Sequence, residues 1–179
     1  MRYIRLVPCR IQPRDVDAVI EAQRACKAAA AHMEARPQDP VRIESLKRAI
    51  DCFDAALERA YPQGFWEAYP RLTSGDPDSI EVAIAFLEDD PWFFRTGYVK
   101  GGLIRALKKL CLTNSQTERL REVVVRTVDA GDRPRFREFC HLARKVVAPS
   151  LTEAMVLRLA SLDRGIARRA RWVLDACRA

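Results

Sequence analysis

The sequence is short of the parts that most site chemistry needs. It has two histidines, His32 and His141, so a metal centre or an acid–base relay built on imidazole has few components to draw on. Six cysteines, Cys9, Cys26, Cys52, Cys111, Cys140 and Cys177, stand at wide, irregular separations with no CxxC pair. That argues against a zinc site or a disulfide framework and for reduced, buried small hydrophobes. Seven glycines and ten prolines are too few for a disordered or fibrous chain. No apolar run approaches the ~18–20 residues of a membrane span. The basic start MRYIRLVPCRIQPRD has no uninterrupted apolar stretch of the kind a secretory signal carries, so cytoplasmic residence is the expectation. No catalytic motif is complete, and no cofactor is expected.

What remains is enough for a core. At 179 residues, 49% hydrophobic and 31% charged, the chain suits one globular domain that buries about 70% of its unfolded surface. Its net charge of +7 is unevenly placed. Residues 1 to 94 hold 12 Lys or Arg against 16 Asp or Glu, a net of −4, whereas residues 95 to 179 hold 19 against 8, a net of +11. A basic half attracts polyanions, whether nucleic acid, an acidic protein surface or anionic lipid.

Helical periodicity runs through the chain. Tyr3 to Val7 is a short apolar and basic strip or arm ended by Pro8. From a cap at Asp15, Val16, Val19, Ile20, Cys26, Ala30 and Met33 recur on one side through about Arg36. Asp39-Pro40 opens a second helix with Ile43, Leu46, Ile50, Phe53 and Leu57 on its stripe, and the two should form an antiparallel hairpin. Tyr61, Phe65, Trp66 and Tyr69 are too bulky to be left in water and suggest a short third helix or wrapped loop. Asp76-Pro77 opens IEVAIAFLEDD, where alternation keeps a strand in play for residues 80–87, but the cap and a wide apolar arc favour a buried helix. Further starts are read at Thr113 and Ser150, both in capping-box form, at Asp132 ahead of Pro134, and at Asp163; Gly131 suits a helix end.

The composition changes character over Phe86 to Leu110, FLEDDPWFFRTGYVKGGLIRALKKL. Nine of fourteen aromatics lie between Tyr61 and Tyr98, and three of seven glycines between Gly97 and Gly102. Asp90-Pro91 reads as another helix start, with Glu88, Asp89 and Asp90 capping or pairing with Arg95 or Lys100. Trp92, Phe93 and Phe94 cannot all enter one helical stripe, so one of them wedges into a neighbour or offers a partner contact. Lys100 beside Gly101-Gly102 lacks the P-loop pattern. The paired glycines instead imply close packing against a large residue such as Trp66 or Trp92.

Asp76, Thr113 and Ser150 are 37 residues apart in turn, each opening a helix, a turn and a second helix, which is a solenoid-like period. The last pair, LTEAMVLRLASLDRGIARRARWVLDAC, resembles a HEAT repeat. Asp163 stands where that family's second helix begins, Ile166 at its apolar position, and Ala170, Val173 and Leu174 at its core positions; Ala167 occupies the place of the usual basic residue, with Arg168 one step late. The resemblance covers residues 76 to 179 at most. It implies an all-α chain of antiparallel helix pairs in a curved, HEAT-like α-solenoid, binding an extended partner and with no inherent enzymatic chemistry; an irregular helical bundle is the alternative.

Arg164, Arg168 and Arg171 fall at i, i+4 and i+7, one face of the last helix, and Arg137, His141 and Arg144 repeat the spacing earlier. Arginine's forked donors suit phosphate and carboxylate. Either these faces form a basic binding strip, or they are solvated and paired with Asp175 and Glu138. The expected function is non-enzymatic binding or scaffolding: gripping an acidic protein surface through Arg137, Arg144, Arg164, Arg168 and Arg171, with Trp92 and Lys100 as further contacts. The alternatives are a sequence-tolerant nucleic-acid binder, a HEAT-like alkylpurine DNA glycosylase or a toxin-immunity protein.

Overall fold

Capping side chains set four of the nine helix starts among the described residues. In the computed structural model, which describes residues 10–35, 37–131 and 133–178, the Asp39 carboxylate accepts the Val41 N–H at 3.0 Å with Pro40 at the first helical position. Asp76 likewise accepts the Ser79 N–H at 2.9 Å ahead of Pro77. Thr113 and Gln116 form a reciprocal capping box at 3.2 and 2.9 Å, and Asp163 accepts the N–H groups of Gly165 and Ile166. Each such cap satisfies donors the helix cannot, and is worth about 1 kcal/mol.

Among the described residues these signals yield nine α-helices, one 3-10 turn and no strand. They are α1 (Pro13–Ala35), α2 (Pro40–Ala60), α3 (Phe65–Arg71), the turn Leu72–Ser74, α4 (Pro77–Asp89), α5 (Thr96–Leu107), α6 (Asn114–Asp129), α7 (Phe136–Lys145), α8 (Pro149–Leu159) and α9 (Arg164–Arg178). The protein is all-helical, and residues 80–87 are helix. Their alternation arises because α4 is enclosed on nearly every side: Ile80, Val82, Ala83, Ile84, Phe86 and Leu87 are all buried.

Three starts differ from expectation. Helix α1 begins at Pro13, two residues ahead of Asp15, and α8 begins at Pro149 rather than at a Ser150 box, with no side-chain cap. In both cases a proline at the first position, whose missing N–H costs nothing there, sets the start. Asp90 opens no helix. It ends α4 in the left-handed conformation, φ 44°, and the chain turns through Pro91 to Arg95 before α5 begins. Asp132 and the strip Tyr3 to Val7 lie outside the described residues. Gly131, at φ 97°, follows α6 as a C-terminal glycine should.

Helices α1 and α2 pack on each other. In the remainder, α4 packs on α6 and α6 on α8, α5 packs on α7 and α7 on α9, while α6 meets α7 and α8 meets α9. The aromatic block sits where the hairpin meets this assembly. Tyr61 stacks on Phe86 with centroids 5.6 Å apart, Phe65 lies 4.6 Å from Phe86, and Phe93 meets Tyr61 edge-on at 5.3 Å. Trp66 is the exception to the expected burial. It is 50% exposed and leans on Tyr61 and Phe65 from outside.

The glycines of α5 allow close approach, though the large neighbours are other than Trp66. Gly97 faces Trp92 and Pro134, Gly101 faces Glu138 and Arg135, and a Cβ on Gly102 would fall on the Tyr69 hydroxyl, with ring carbon Cζ 3.3 Å away. Alanine in place of a helical glycine ordinarily gains about 1 kcal/mol. At Gly102 the sign reverses: Gly102→Ala should destabilise by about 1–3 kcal/mol in denaturant unfolding, and Tyr69→Phe in the same chain should recover part of that loss.

Candidate functional site

Helices α7 and α9 carry all five of the arginines singled out from the sequence, and they pack side by side. Phe136 of α7 meets Trp172 of α9 at 5.9 Å between rings. One turn further on, Cys140 sits near enough to Cys177 to feel it electrostatically. The pairing advances in step along both helices, so they run in the same sense. Buried Phe139, Cys140, Ala143, Ala170, Val173 and Leu174 fill the seam.

Between the two helices lies a groove of about 410 Å³, lined by Phe136, Arg137, Cys140, His141, Trp172, Asp175 and Ala176. Its floor is apolar and its rim charged. Trp172 remains 46% exposed, and the Arg168 guanidinium lies over its ring at 5.2 Å, which stabilises such an exposed pair by about 0.5–1 kcal/mol. Arg137, Arg144, Arg164, Arg168 and Arg171 are all exposed. Of the nearby acids, Glu138 accepts from Arg105 at 2.8 Å and lies 3.9 Å from His141, and Asp175 stands 4.0 Å from Arg178.

The common direction of the helices fixes the order of these groups. With Phe136 level with Trp172, Arg164 and Arg168 precede the groove, Arg171 and Arg137 flank it, and His141 and Arg144 follow it. At 1.5 Å per residue this row is about 24 Å long, the length of a short extended segment or a helix of about four turns. Trp172 and Phe136 were missed as site residues in the sequence. The available signal was that Trp172 lies four residues after Arg168, on the same helical face.

Cys140 and His141 supply no nucleophile here. Burial, and secondarily Cys177, pushes the Cys140 thiol up to about 11, so it stays protonated and inert near neutrality. Among the described residues no group of three or more His, Cys, Asp or Glu could hold a metal ion.

Trp92 and Lys100 lie in a different place and play a different part. Lys100 is 1% exposed, its ammonium 2.5 Å from an Asp90 carboxylate oxygen that also accepts the Trp92 indole N–H at 2.9 Å. Lys100 and Arg133 both sit over the Trp92 ring, at 4.0 and 4.6 Å, and Arg133 approaches Asp90 at 3.5 Å. This is an internal clasp rather than an exposed contact. It joins the end of α4, the face of α5 and the approach to α7. The three non-glycine residues with positive φ among the described residues are Asp90 of the clasp, Arg95 at the start of α5 and Arg135 at the start of α7, so the backbone strain falls on the turns that lead into and out of it. The other acids of that run serve as local ties: Glu88 holds Arg119 bidentately at 2.7 and 2.6 Å, and Asp89 accepts the Ile11 N–H. Arg95 lies over the Phe94 ring.

No family model, no curated protein and no solved structure matches the chain. Function therefore has to come from the site itself.

Burial lowers the Lys100 ammonium to about 8, against which Asp90 pulls upward. Because the folded value lies below the unfolded one, protonation is costlier in the folded state. That cost is full below about pH 8 and fades as pH rises toward about 10.5, the ordinary lysine value. Lys100→Met removes the titrating group, so the stability of the wild type relative to this variant should rise between those two pH values. Urea midpoints of both proteins across that window measure it, and parallel curves would mean that Lys100 titrates normally.

Proposed function

We propose that the chain is a non-enzymatic binding protein whose α7–α9 face grips an acidic protein segment. The observation that carries this reading is the combination in one row of an apolar groove, floored by Trp172 and Phe136, with exposed Arg137, Arg164, Arg168 and Arg171 on either side of it. Aromatic residues and arginine are the types that most often dominate binding energy at an interface. An amphipathic acidic helix matches both halves of the row: one or two apolar side chains enter the groove, and carboxylates meet the guanidinium forks, each a charge-assisted hydrogen bond.

The order of packing, α4 on α6 on α8 and α5 on α7 on α9, supports a short HEAT-like stack in which α7 and α9 are neighbouring second helices of successive pairs. In such a stack the row continues along one surface and suits an elongated partner.

Nucleic acid is the second reading, favoured by Trp172, whose half-exposed ring can stack on a base. The two readings differ in their use of the groove. Phosphate contacts are electrostatic and need no apolar floor, and they weaken by orders of magnitude as salt rises from about 50 to 200 mM.

A fluorescent acidic amphipathic peptide, and labelled single- and double-stranded oligonucleotides, should be titrated at both salt concentrations. The peptide should bind and retain most of its affinity at the higher salt. Arg164→Glu, Arg168→Glu and Arg171→Glu together should weaken it by about a hundredfold, as expected for the loss of roughly 1–1.5 kcal/mol at each of two or three contacts. Tight oligonucleotide binding with a steep salt dependence, and none of the peptide, would transfer the face to nucleic acid.

A further inference from the structure

The α1–α2 hairpin is built from two seams of unequal bulk. Spacing of three and four residues places Ile43, Leu46, Ile50, Phe53 and Leu57 along α2 and Val16, Val19, Gln23, Cys26, Ala30 and Met33 along α1, the pattern of a two-stranded coiled coil. Over the outer half of the hairpin α1 supplies mostly alanine, and Cys26 donates to the Ala49 carbonyl at 2.9 Å. Such small groups bring the backbones together but leave part of the large α2 side chains uncovered, Ile50 most of all.

The consequence is visible in the burial. Beyond Val19 in α1 and before Ala56 in α2 no described residue is buried. Ile50 is 42% and Val41 76% exposed, and Ile43 and Leu46 are partly rather than fully buried. Neither helix packs along any other. Among the described residues the hairpin is tied down at its base, by Ile11 on Asp89, the Phe53–Phe94 ring pair at 5.1 Å and Tyr61 in the aromatic cluster. Two helices with only each other for cover are marginally stable in water, and a bundle of four completes the burial that two leave open.

The charge of the hairpin indicates what completes it. Residues 13–35 and 40–60 contain seven Lys or Arg and eight Asp or Glu, a net of −1 with both signs mixed along each helix. Such a surface attracts neither the acidic partner suited to α7–α9 nor a basic one, but it accommodates its own copy. The area agrees. A face about 30 Å long and two helix diameters wide offers roughly 600 Å² per copy, so a pair buries about 1,200 Å², the lower bound of stable, specific interfaces.

We propose that the hairpin is a homodimerisation module: two copies pack α2 against α2 across a two-fold axis as a four-helix bundle, burying Ile43, Leu46 and Ile50 of both chains. The inference is independent of what the arginine row binds.

Sedimentation velocity of the full chain over a wide range of concentration tests it. The expected result is a monomer–dimer equilibrium with a melting temperature that rises with protein concentration. Ile50→Lys should yield a monomer of unchanged helicity by circular dichroism. Ile50→Ala, which leaves no buried charge and serves if the lysine variant unfolds, should raise the dissociation constant by about tenfold or more. The triple Arg164, Arg168 and Arg171 glutamate variant should dimerise as the wild type does. A wild type that stays monomeric throughout, or a dimer untouched by both Ile50 substitutions, overturns the proposal.

Discussion

A lysine ammonium taken out of water must be answered by an opposite charge held in place, and in this protein that requirement organises the joint between the two ends of the chain. Lys100 is supplied by α5 and answered by Asp90, the last residue before the chain leaves α4. The carboxylate can meet it only because the backbone at Asp90 turns left-handed, a conformation aspartate tolerates better than most residues. Trp92 fills the space beside them, and Arg133 closes over the ring from the approach to α7. The start of α7 is then fixed against α5, with Arg135 stacked on Tyr98 at 4.0 Å and Glu138 against Gly101. The α7 wall of the groove downstream starts from that register.

The same stretch explains where the sequence was legible and where it was not. Asp39-Pro40 and Asp76-Pro77 were read correctly as helix starts because a cap and its helix are separated by two or three residues, and everything needed is local. Asp90-Pro91 carries the same dipeptide and does the opposite. Its carboxylate is committed to a lysine ten residues away, and the Trp92, Phe93 and Phe94 that follow require burial in different directions. Both tendencies are legible in the sequence, but not that together they outweigh the local cap. Ser150 was misplaced for a smaller reason, since Pro149 alone sets the first turn of α8. The contact of Gly102 with Tyr69 was likewise invisible, because α3 is about thirty residues away and its bulky side chains are interchangeable by pattern.

For the site, the periodicity of Arg137 and Arg144, and of Arg164, Arg168 and Arg171, correctly placed each set on an exposed face of one helix. It could not say that the two faces adjoin, nor that Phe136 and Trp172 leave an apolar depression between them, since both depend on the packing of helices separated by α8. Lys100 was read two ways, as an ion-pair partner of the acidic run and as an outward contact, and the structure buries it against Asp90. A lysine between glycines on an otherwise apolar helix is as compatible with an internal ion pair as with a surface contact, and only its surroundings decide.

The three tryptophans of this chain occupy three physically distinct settings. Trp92 is held between two cations, Trp66 leans on the outside of the aromatic cluster, and Trp172 lies half open in the groove beneath a guanidinium. Indole emission depends on the polarity and mobility of its surroundings, so whatever settles between α7 and α9 alters the light emitted by Trp172 before it alters that of the other two. The groove thus contains its own optical gauge of occupancy, and a chain keeping only that tryptophan can report on the site without any attached label.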